Sequence, residues 1–345
     1  MTDKVSGNGN GQAAARTEAA GERRFDVVVV GGGAAGLSAA LTLGRARRSV
    51  LVIDAGEPRN APADGIHNYL GREGAKPAEL LATGREEVAR YGGETTGGRA
   101  VSAARLDGGG FRVGLDDGSA VRAERLLLAT GLVDGLPEVR GLAERWGREV
   151  LHCPYCHGWE VRGQAIGVLG TGPLAVHQAL MWRQWSEDVT LFVHTAPEPD
   201  EEQYERLAAR GIAVVEGEVA AVEVTDDRLT GMALAGGRVI PCQALVVPTR
   251  LDARTDLLAD LGLTTVEQEI GGVPIGTRVD ADPTGATAVP GVWVAGNVTA
   301  PVEILIGGAT AGVRAAAAIN ADLTEQETLA AVAARRASAG AATTA

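Results

Sequence analysis

The sequence predicts an α/β fold of two Rossmann-like three-layer domains, the second inserted into the first. Three observations carry that prediction. A strand, a glycine-rich turn and a helix occur together near residue 30, and the same arrangement recurs near residue 170. Two further strand-and-turn segments, after residues 125 and 291, supply what the first unit lacks if the second interrupts it.

In "FDVVVVGGGAAGLSAALTLGRARRSVLVIDAG", Val27 to Val30 read as a buried parallel strand, because four β-branched residues in a row leave no polar face. Gly31, Gly33 and Gly36 then have separate tasks: a tight turn, a close approach to a pyrophosphate, and packing of helix on strand. The helix runs to about Gly44. A second strand, Val50 to Ile53, ends at Asp54, about 20 residues beyond the glycines, where a carboxylate can accept ribose hydroxyls. "LLLATG", Leu126 to Gly131, is a strand running into a Thr-Gly turn. "GVWVAGN", Gly291 to Asn297, is another strand, followed by an Ala-rich helix from Ile306 to Ile319.

The second unit is "QAIGVLGTGPLAVHQALMWRQWSEDVTLFV". Gly170, Gly172 and Ala175 take the glycine positions, Pro173 suits a first helical turn, and Val189 to Val193 form the next strand. After that strand come Glu198, Asp200, Glu201 and Glu202, with no arginine before Arg206. A nucleotide 2′-phosphate would meet uncompensated negative charge there. The expected domains are therefore residues 24–133 with 252–323, and 134–251 between them. Residues 1–23 and 324–345 are expected to be tails.

At 345 residues the chain has room for about two domains. Its longest apolar runs are strand-sized and its N-terminal stretch lacks an apolar core, so neither a membrane span nor a signal peptide is expected. The expected compartment is the cytoplasm. A net charge of −12 argues against nucleic acid and anionic membrane as partners. The cluster Arg45, Arg47, Arg48 reads as cations at a helix C-terminus. Of three cysteines, Cys242 lies in an apolar run and reads as packing.

The other two form "HCPYCHGWE", residues 152 to 160. Cys-x-x-Cys-His also marks haem attachment, but that belongs to exported proteins. Zinc needs four tetrahedral ligands, and His152, Cys153, Cys156 and His157 crowd into six residues with no second Cys-x-x-Cys, so no metal is expected. "CPYC" is the glutaredoxin string as well, without a thioredoxin-like domain around it here. A purely structural pair remains open. A redox pair has a physical basis: a thiol at a helix start is more readily ionised, and the thiolate is the reactive form. His157, with an ordinary pKa near 6.5, suits proton transfer, and His152 and His67 are further candidates. Tyr155 and Trp159 are candidates for shaping the pocket.

The order "GGGAAG", "ATG", "CPYC", "GTGPLA", "AGN" over residues 24 to 323 resembles the low-molecular-weight thioredoxin reductase family of flavoproteins. The resemblance implies FAD and a homodimer. It implies FAD contacts from Gly31, Gly33, Ala34, Ala35 and Gly36, from Asp54 and Asn60, from Ala129, Thr130 and Gly131, and from Gly296 and Asn297. It also implies that Cys156 lies beside the flavin and Cys153 faces the substrate. The chain departs from thioredoxin reductases in three places. His157 stands where Asp usually follows the second cysteine, "VHTAPEPD" replaces the arginine-rich phosphate clamp, and Asn297 and Glu303-Ile304 replace Asp and Ala-Gln.

The first two departures resemble the dithiol oxidase branch, which closes disulfides in small natural products such as gliotoxin, holomycin and romidepsin. The last fits neither group. The expectation is an FAD-dependent dithiol oxidase with catalytic residues Cys153, Cys156 and His157, a small-molecule dithiol as substrate and O2 as electron acceptor. An NAD(P)H-driven protein disulfide reductase and a non-catalytic flavin redox sensor are the alternatives.

Overall fold

The computed structural model describes residues 22–343. In chain order its first part holds β1 (Arg23–Val30), α1 (Ala34–Arg45), β2 (Val50–Asp54), α2 (Pro77–Arg90), β3 (Glu94–Gly97), β4 (Ala100–Arg105), β5 (Phe111–Leu115), β6 (Ala120–Leu128) and β7 (Leu132–Gly135). The middle part holds β8 (Val150–Leu151), α3 (Pro154–His157), β9 (Ile166–Leu169), α4 (Ala175–Trp182), β10 (Val189–Phe192), α5 (Glu201–Ala209), β11 (Ala213–Val215), β12 (Val219–Thr225), β13 (Arg228–Leu234), β14 (Val239–Pro241) and β15 (Ala244–Val246). The last part holds β16 (Arg250–Ala253), β17 (Thr265–Ile270), β18 (Val273–Val279), β19 (Val292–Val294) and α6 (Leu305–Thr343).

The first sheet runs β3-β2-β1-β6-β5-β4, with β19 beside the second half of β6. Its central strands are parallel, Val27 to Val30 lying between Val50–Ile53 and Arg125–Leu128. Those strands are buried on both sides, which is why they read as unbroken apolar runs. One face packs against α1 and α6 through Leu37, Leu43, Ala315 and Ile319; the other covers Phe111, Leu257 and Leu261. A second, five-stranded sheet of order β11-β10-β9-β15-β8 is parallel throughout and packs on α4 through Ala179 and Trp182. Two sheets with parallel centres covered by helices, the first carrying antiparallel β4 and β5 at one edge and the second formed from the middle of the chain, give the expected α/β architecture of two Rossmann-like domains.

Among the described residues, two segments join the two sheets. They are β7 and β16, which pair antiparallel with Asp134 opposite Leu251 and Val133 opposite Asp252. The expected boundaries at 133/134 and 251/252 fall inside this pair.

At the N-terminus, residues 1–21 of the expected tail lie outside the described residues. Glu22 and Arg23 are ordered: Glu22 takes hydrogen bonds from Arg112 (2.7 Å) and Arg122 (3.0 Å), and β1 begins at Arg23. At the C-terminus the expected tail from 324 is helix as far as Thr343, because α6 does not stop at Ile319. Residues 325–337 are mostly Ala, Glu, Leu, Gln and Arg, strong helix formers that sustain the helix although Thr324 to Ala339 are all exposed. Arg48 anchors the exposed part, bonding Asn320 (2.8 Å), Thr324 (3.1 Å) and Glu327. Arg125 does the same through Asp322 (2.5 Å) and Gln326 (2.5 Å). Arg48 therefore ties two helices together and is not simply a cation at the end of α1. No described helix is long and apolar enough to cross a membrane.

The backbones of α1 and α6 come close at Gly312, where a Cβ would collide with the carbonyl oxygen of Ala35. Gly312→Ala is expected to lower stability by about 1–3 kcal/mol through overpacking. Thermal denaturation checks it: an unchanged Tm would show that α6 can lift off α1 freely.

Candidate active site

A cavity of about 400 Å³ has walls from both parts of the chain. The glycine turn after β1, the end of β2 and the turn after β6 contribute to one wall, Gly296 and Asn297 to another, and His152, Cys153, Cys156 and His157 to the rest. Every residue expected to touch FAD lines this cavity except Gly36. A Cβ on Gly36 would strike the Gly31 carbonyl, so its role is to let α1 close onto the turn. Gly31 has φ +111° and its Cβ would collide with Ala129, so the turn itself requires glycine. At Gly33 a Cβ would meet nothing within 4 Å. That open space at the start of α1 suits close approach of a pyrophosphate to backbone amides, and the residues present fit FAD. Asp54 stands against Gly32 with Oδ1 accepting from the Gly56 amide at 3.0 Å. Gly32 was not singled out by the sequence; a side chain there would displace the Asp54 carboxylate.

Cys153 precedes α3 in extended conformation (φ −107°, ψ 117°), and Pro154 starts the helix where its missing amide hydrogen is not needed. This single turn brings the two sulfurs within 2.6 Å. The Cys156 thiol and the backbone amides of Cys156 and Tyr155 lower the Cys153 pKa to about 7, against the effect of burial. Cys156, as the donor in that pair and partly buried, is pushed the other way. The two thiols are thus unequal, and Cys153 ionises first. Cys242 is buried, and burial pushes its thiol up to about 12.

Burial pushes the His157 pKa down, with Glu160 opposing and His67 adding to the effect. Its Nδ1 is buried and has no hydrogen-bond partner among the described residues. His152 is lowered to about 4, chiefly by burial and then by the Arg59 charge, and its ring stacks near Trp146 at 6.4 Å. A histidine with so low a pKa is a poor proton acceptor at neutral pH. His67 also lines the cavity, its Nδ1 2.6 Å from Glu73 and its Nε2 3.5 Å from Glu160. The next residue, Asn68, donates to the Tyr155 carbonyl at 2.5 Å. Tyr155 and Trp159 are outside the cavity wall, 64% and 65% exposed. Tyr155 rests edge-on against Trp185, and Arg162 covers the Trp159 ring.

One pair escaped sequence reasoning, and two positions that the sequence marks as departures gain a structural role. Arg59 lines the cavity and forms a two-pronged pair with Asp134, 2.6 Å on each side. Nothing in a local motif links residues 75 positions apart. Asn297 uses its side-chain amide to hold the carbonyls of Ala300 (3.1 Å), Pro301 (3.3 Å) and Glu303 (2.9 Å). The two amide hydrogens, one of them shared, serve carbonyls that an acceptor-only carboxylate could not, which accounts for Asn in place of Asp. Glu303 folds back so that Oε1 accepts from the Ile304 amide at 3.2 Å, and both residues line the cavity.

The second glycine turn differs from the first. The Gly170 carbonyl accepts from the amides of Thr195 and Ala196, both at 3.1 Å, and a Cβ there would come within 3.0 Å of Ala196. His194, at φ 48°, accepts from the Val219 amide at 3.1 Å. Asp200 caps α5 in a box with Gln203, and Glu201 and Glu202 occupy its first turn. Pro173 lies just before α4, which begins at Ala175. Space over Gly172 is open.

Two outcomes are expected. Alkylation of the reduced protein by iodoacetamide, mapped by peptide mass, should label Cys153 with a rate that falls about tenfold per pH unit below pH 6 and levels off above pH 8, because only the thiolate reacts. Cys242 should stay unlabelled while the fold is intact; labelling of Cys242 ahead of Cys153 would reverse the assignment. Asn297→Asp should cost about 1–3 kcal/mol by setting a carboxylate against three carbonyls, measured by denaturant unfolding, with equal stability counting against the donor role.

The chain matches the family described as pyridine nucleotide-disulphide oxidoreductase over residues 25–337. It is 30% identical over 314 residues to thioredoxin reductase sirT of Leptosphaeria maculans, covering 86% of this chain and 93% of that one. It is 39% identical over 175 residues to thioredoxin reductase tcpT of Claviceps purpurea. That match covers 48% of this chain and spans about half of that relative's length, 54%. Among solved structures, HlmI superposes with a TM-score of 0.82 at 43% identity, covering 90% of this chain and 96% of the other. With a match running from the first glycine strand into α6, the chain belongs to the pyridine nucleotide-disulphide oxidoreductase family, as an FAD-dependent redox enzyme with a thioredoxin reductase-like fold.

Proposed function

We propose that the protein is a dithiol oxidase that closes a disulfide in a small-molecule dithiol and passes the electrons to O2. The observation that carries this reading is His157: a neutral imidazole with an unpartnered Nδ1, on the same cavity wall as Cys153 and Cys156. Oxidising two thiols releases two protons, and a group that can accept one beside the pair is what that direction needs. The loop after β10 adds support. Thr195, Ala196 and the acids Glu198 and Asp200 stand there, and two of its amides are bonded to Gly170. Residues 193–200 contain no lysine or arginine to meet a 2′-phosphate.

With the pair as a disulfide, a substrate thiolate attacks Cys153 Sγ. A substrate–Cys153 bond forms, the Cys153–Cys156 bond breaks, and Cys156 leaves as thiolate. His157 then takes the proton of the second substrate thiol, whose sulfur attacks the first substrate sulfur. Cys153 leaves with its electron pair, and the product carries the new disulfide. A thiol with a pKa of about 7 is a good leaving group, which suits Cys153 to this second displacement. FAD, when bound along Gly31–Ala35, Asp54 and Gly296–Asn297, supplies the acceptor for the two electrons, with O2 carrying them on to hydrogen peroxide.

The partners proposed are the dithiol, O2 and a second copy of the chain, in the cytoplasm, where a close cysteine pair is redox-active in preference to structural. A second reading, an NAD(P)H-driven protein disulfide reductase, is favoured by the open space over Gly172.

Rapid-mixing absorbance separates the two. Small dithiols should bleach the flavin and NADPH should not; bleaching by NADPH with no response to dithiols would overturn the oxidase reading. Cys153→Ser should abolish turnover with flavin retained. His157→Gln should flatten the acid limb of the pH–rate profile. In the wild type that limb falls as pH drops through the depressed His157 pKa, where the imidazole is already protonated.

A further inference from the structure

Arg59 lies in the loop between β2 and α2, and its partners lie on the two segments that join the sheets. Arg59 Nε and Nη2 each donate to a different oxygen of Asp134 at 2.6 Å, and Thr249 Oγ1, next to β16, donates to Asp134 Oδ1 at 3.0 Å. Asp134 is on β7, its side chain 7% exposed. A buried carboxylate with three donors is fully engaged, and the planar fork fixes the guanidinium in direction as well as distance. Arg59 and Asp134 line the same cavity as Cys153, Cys156, His152 and His157. Arginine keeps its charge at every accessible pH, so this is a permanent cation on the wall that holds the dithiol.

We propose that Arg59 is a positioning residue for the redox pair: clamped by Asp134 and Thr249 on the crossing strands, it holds a fixed positive charge at the cysteine end of the cavity and favours departure of Cys153 as a thiolate. The proposal rests on the reading of the pair as redox-active. β8 and β15 lie side by side, with the Val247 amide donating to the Leu151 carbonyl at 2.8 Å, so Cys153 and Thr249 each follow two residues beyond that bonded pair and bring the Asp134–Arg59 clamp beside the cysteine turn. The Arg59 charge favours the ionised form of both thiols, as the smallest of the effects on them, and disfavours protonated His152, where the Asp134 carboxylate opposes it. Other charged or titratable groups on this wall are His67, with Glu73 and Glu160 beside it, and Glu303. The buried histidines 152 and 157 are held neutral and add no positive charge near pH 7. A separate set, Glu57, Arg99, Arg254 and Asp256, interacts within itself.

The test is the pH profile of iodoacetamide alkylation at Cys153 in the reduced, flavin-loaded protein, compared for wild type, Arg59→Met, Arg59→Lys and Asp134→Asn. Flavin content and Tm are measured alongside. Arg59→Met should move the midpoint upward and slow alkylation at pH 7 by roughly three- to tenfold. Arg59→Lys, which keeps the charge without the fork, should recover most of that loss. Asp134→Asn, which removes the counter-charge and keeps an oxygen to accept from the guanidinium, should lower the midpoint. An unchanged profile in a folded, flavin-loaded Arg59→Met protein would overturn the proposal, as would equal shifts in the Met and Lys variants, since shape and not charge would then be at work. If Arg59→Met loses flavin or fails to fold, Asp134→Asn decides: a lowered midpoint sustains the proposal, because an uncompensated guanidinium then acts on Cys153 more strongly, and an equal or raised one overturns it. Turnover is not part of the readout, so a wrong assignment of the electron acceptor would show in the mixing experiment and leave this one standing.

Discussion

The arrangement depends on a narrow connection. β7 and β16, four residues each, are the two crossings between the sheet that begins with the glycine turn and the sheet that carries the cysteines. The cavity nevertheless needs walls from both. Two short antiparallel strands leave the relative placement of the halves weakly determined by covalent geometry alone. Non-covalent contacts set it: Arg59 on Asp134, Asn68 on the Tyr155 carbonyl, and His67 on Glu160. All three begin in the loop between β2 and α2, so one irregular segment of the first half docks the reactive turn of the second.

Within that frame the chemistry follows from unequal burial and hydrogen bonding. One helical turn, four residues long, makes two chemically identical side chains different, because the amides at its start face one sulfur and the second thiol donates to it. Histidines on either side are likewise distinguished by surroundings: one is buried within reach of the Arg59 charge and stacks 6.4 Å from Trp146, the other is left with an unpartnered ring nitrogen. Spacing supplies the residues, and the cavity wall assigns their tasks.

Much of this was legible in the chain because it is local. The apolar run before Gly31, the three glycines and Asp54 fall within about 30 consecutive residues; Gly31 and Gly36 have a steric reason in the collision awaiting a Cβ, and Gly33 and Asp54 line the cavity. What was not legible depends on distance or on donor count. Arg59 and Asp134 carry no pattern that links them. The substitution at Asn297 read as a departure from a motif, and its reason lies in three carbonyls of a loop whose path the sequence does not reveal. The C-terminal stretch was misread because alanine-rich composition without an apolar stripe resembles a tail, whereas helix propensity and anchors from Arg48 and Arg125 keep it wound.

The stitching of Thr195 and Ala196 onto the Gly170 carbonyl bears on protein engineering. Grafting arginines into this loop to create a coenzyme preference would add charge without freeing the backbone around it, since the same amides would still close the turn and His194 would still be tied to Val219. A redesign would have to rebuild the whole path from β10 to α5, and a two-residue swap would leave the turn's geometry as it is.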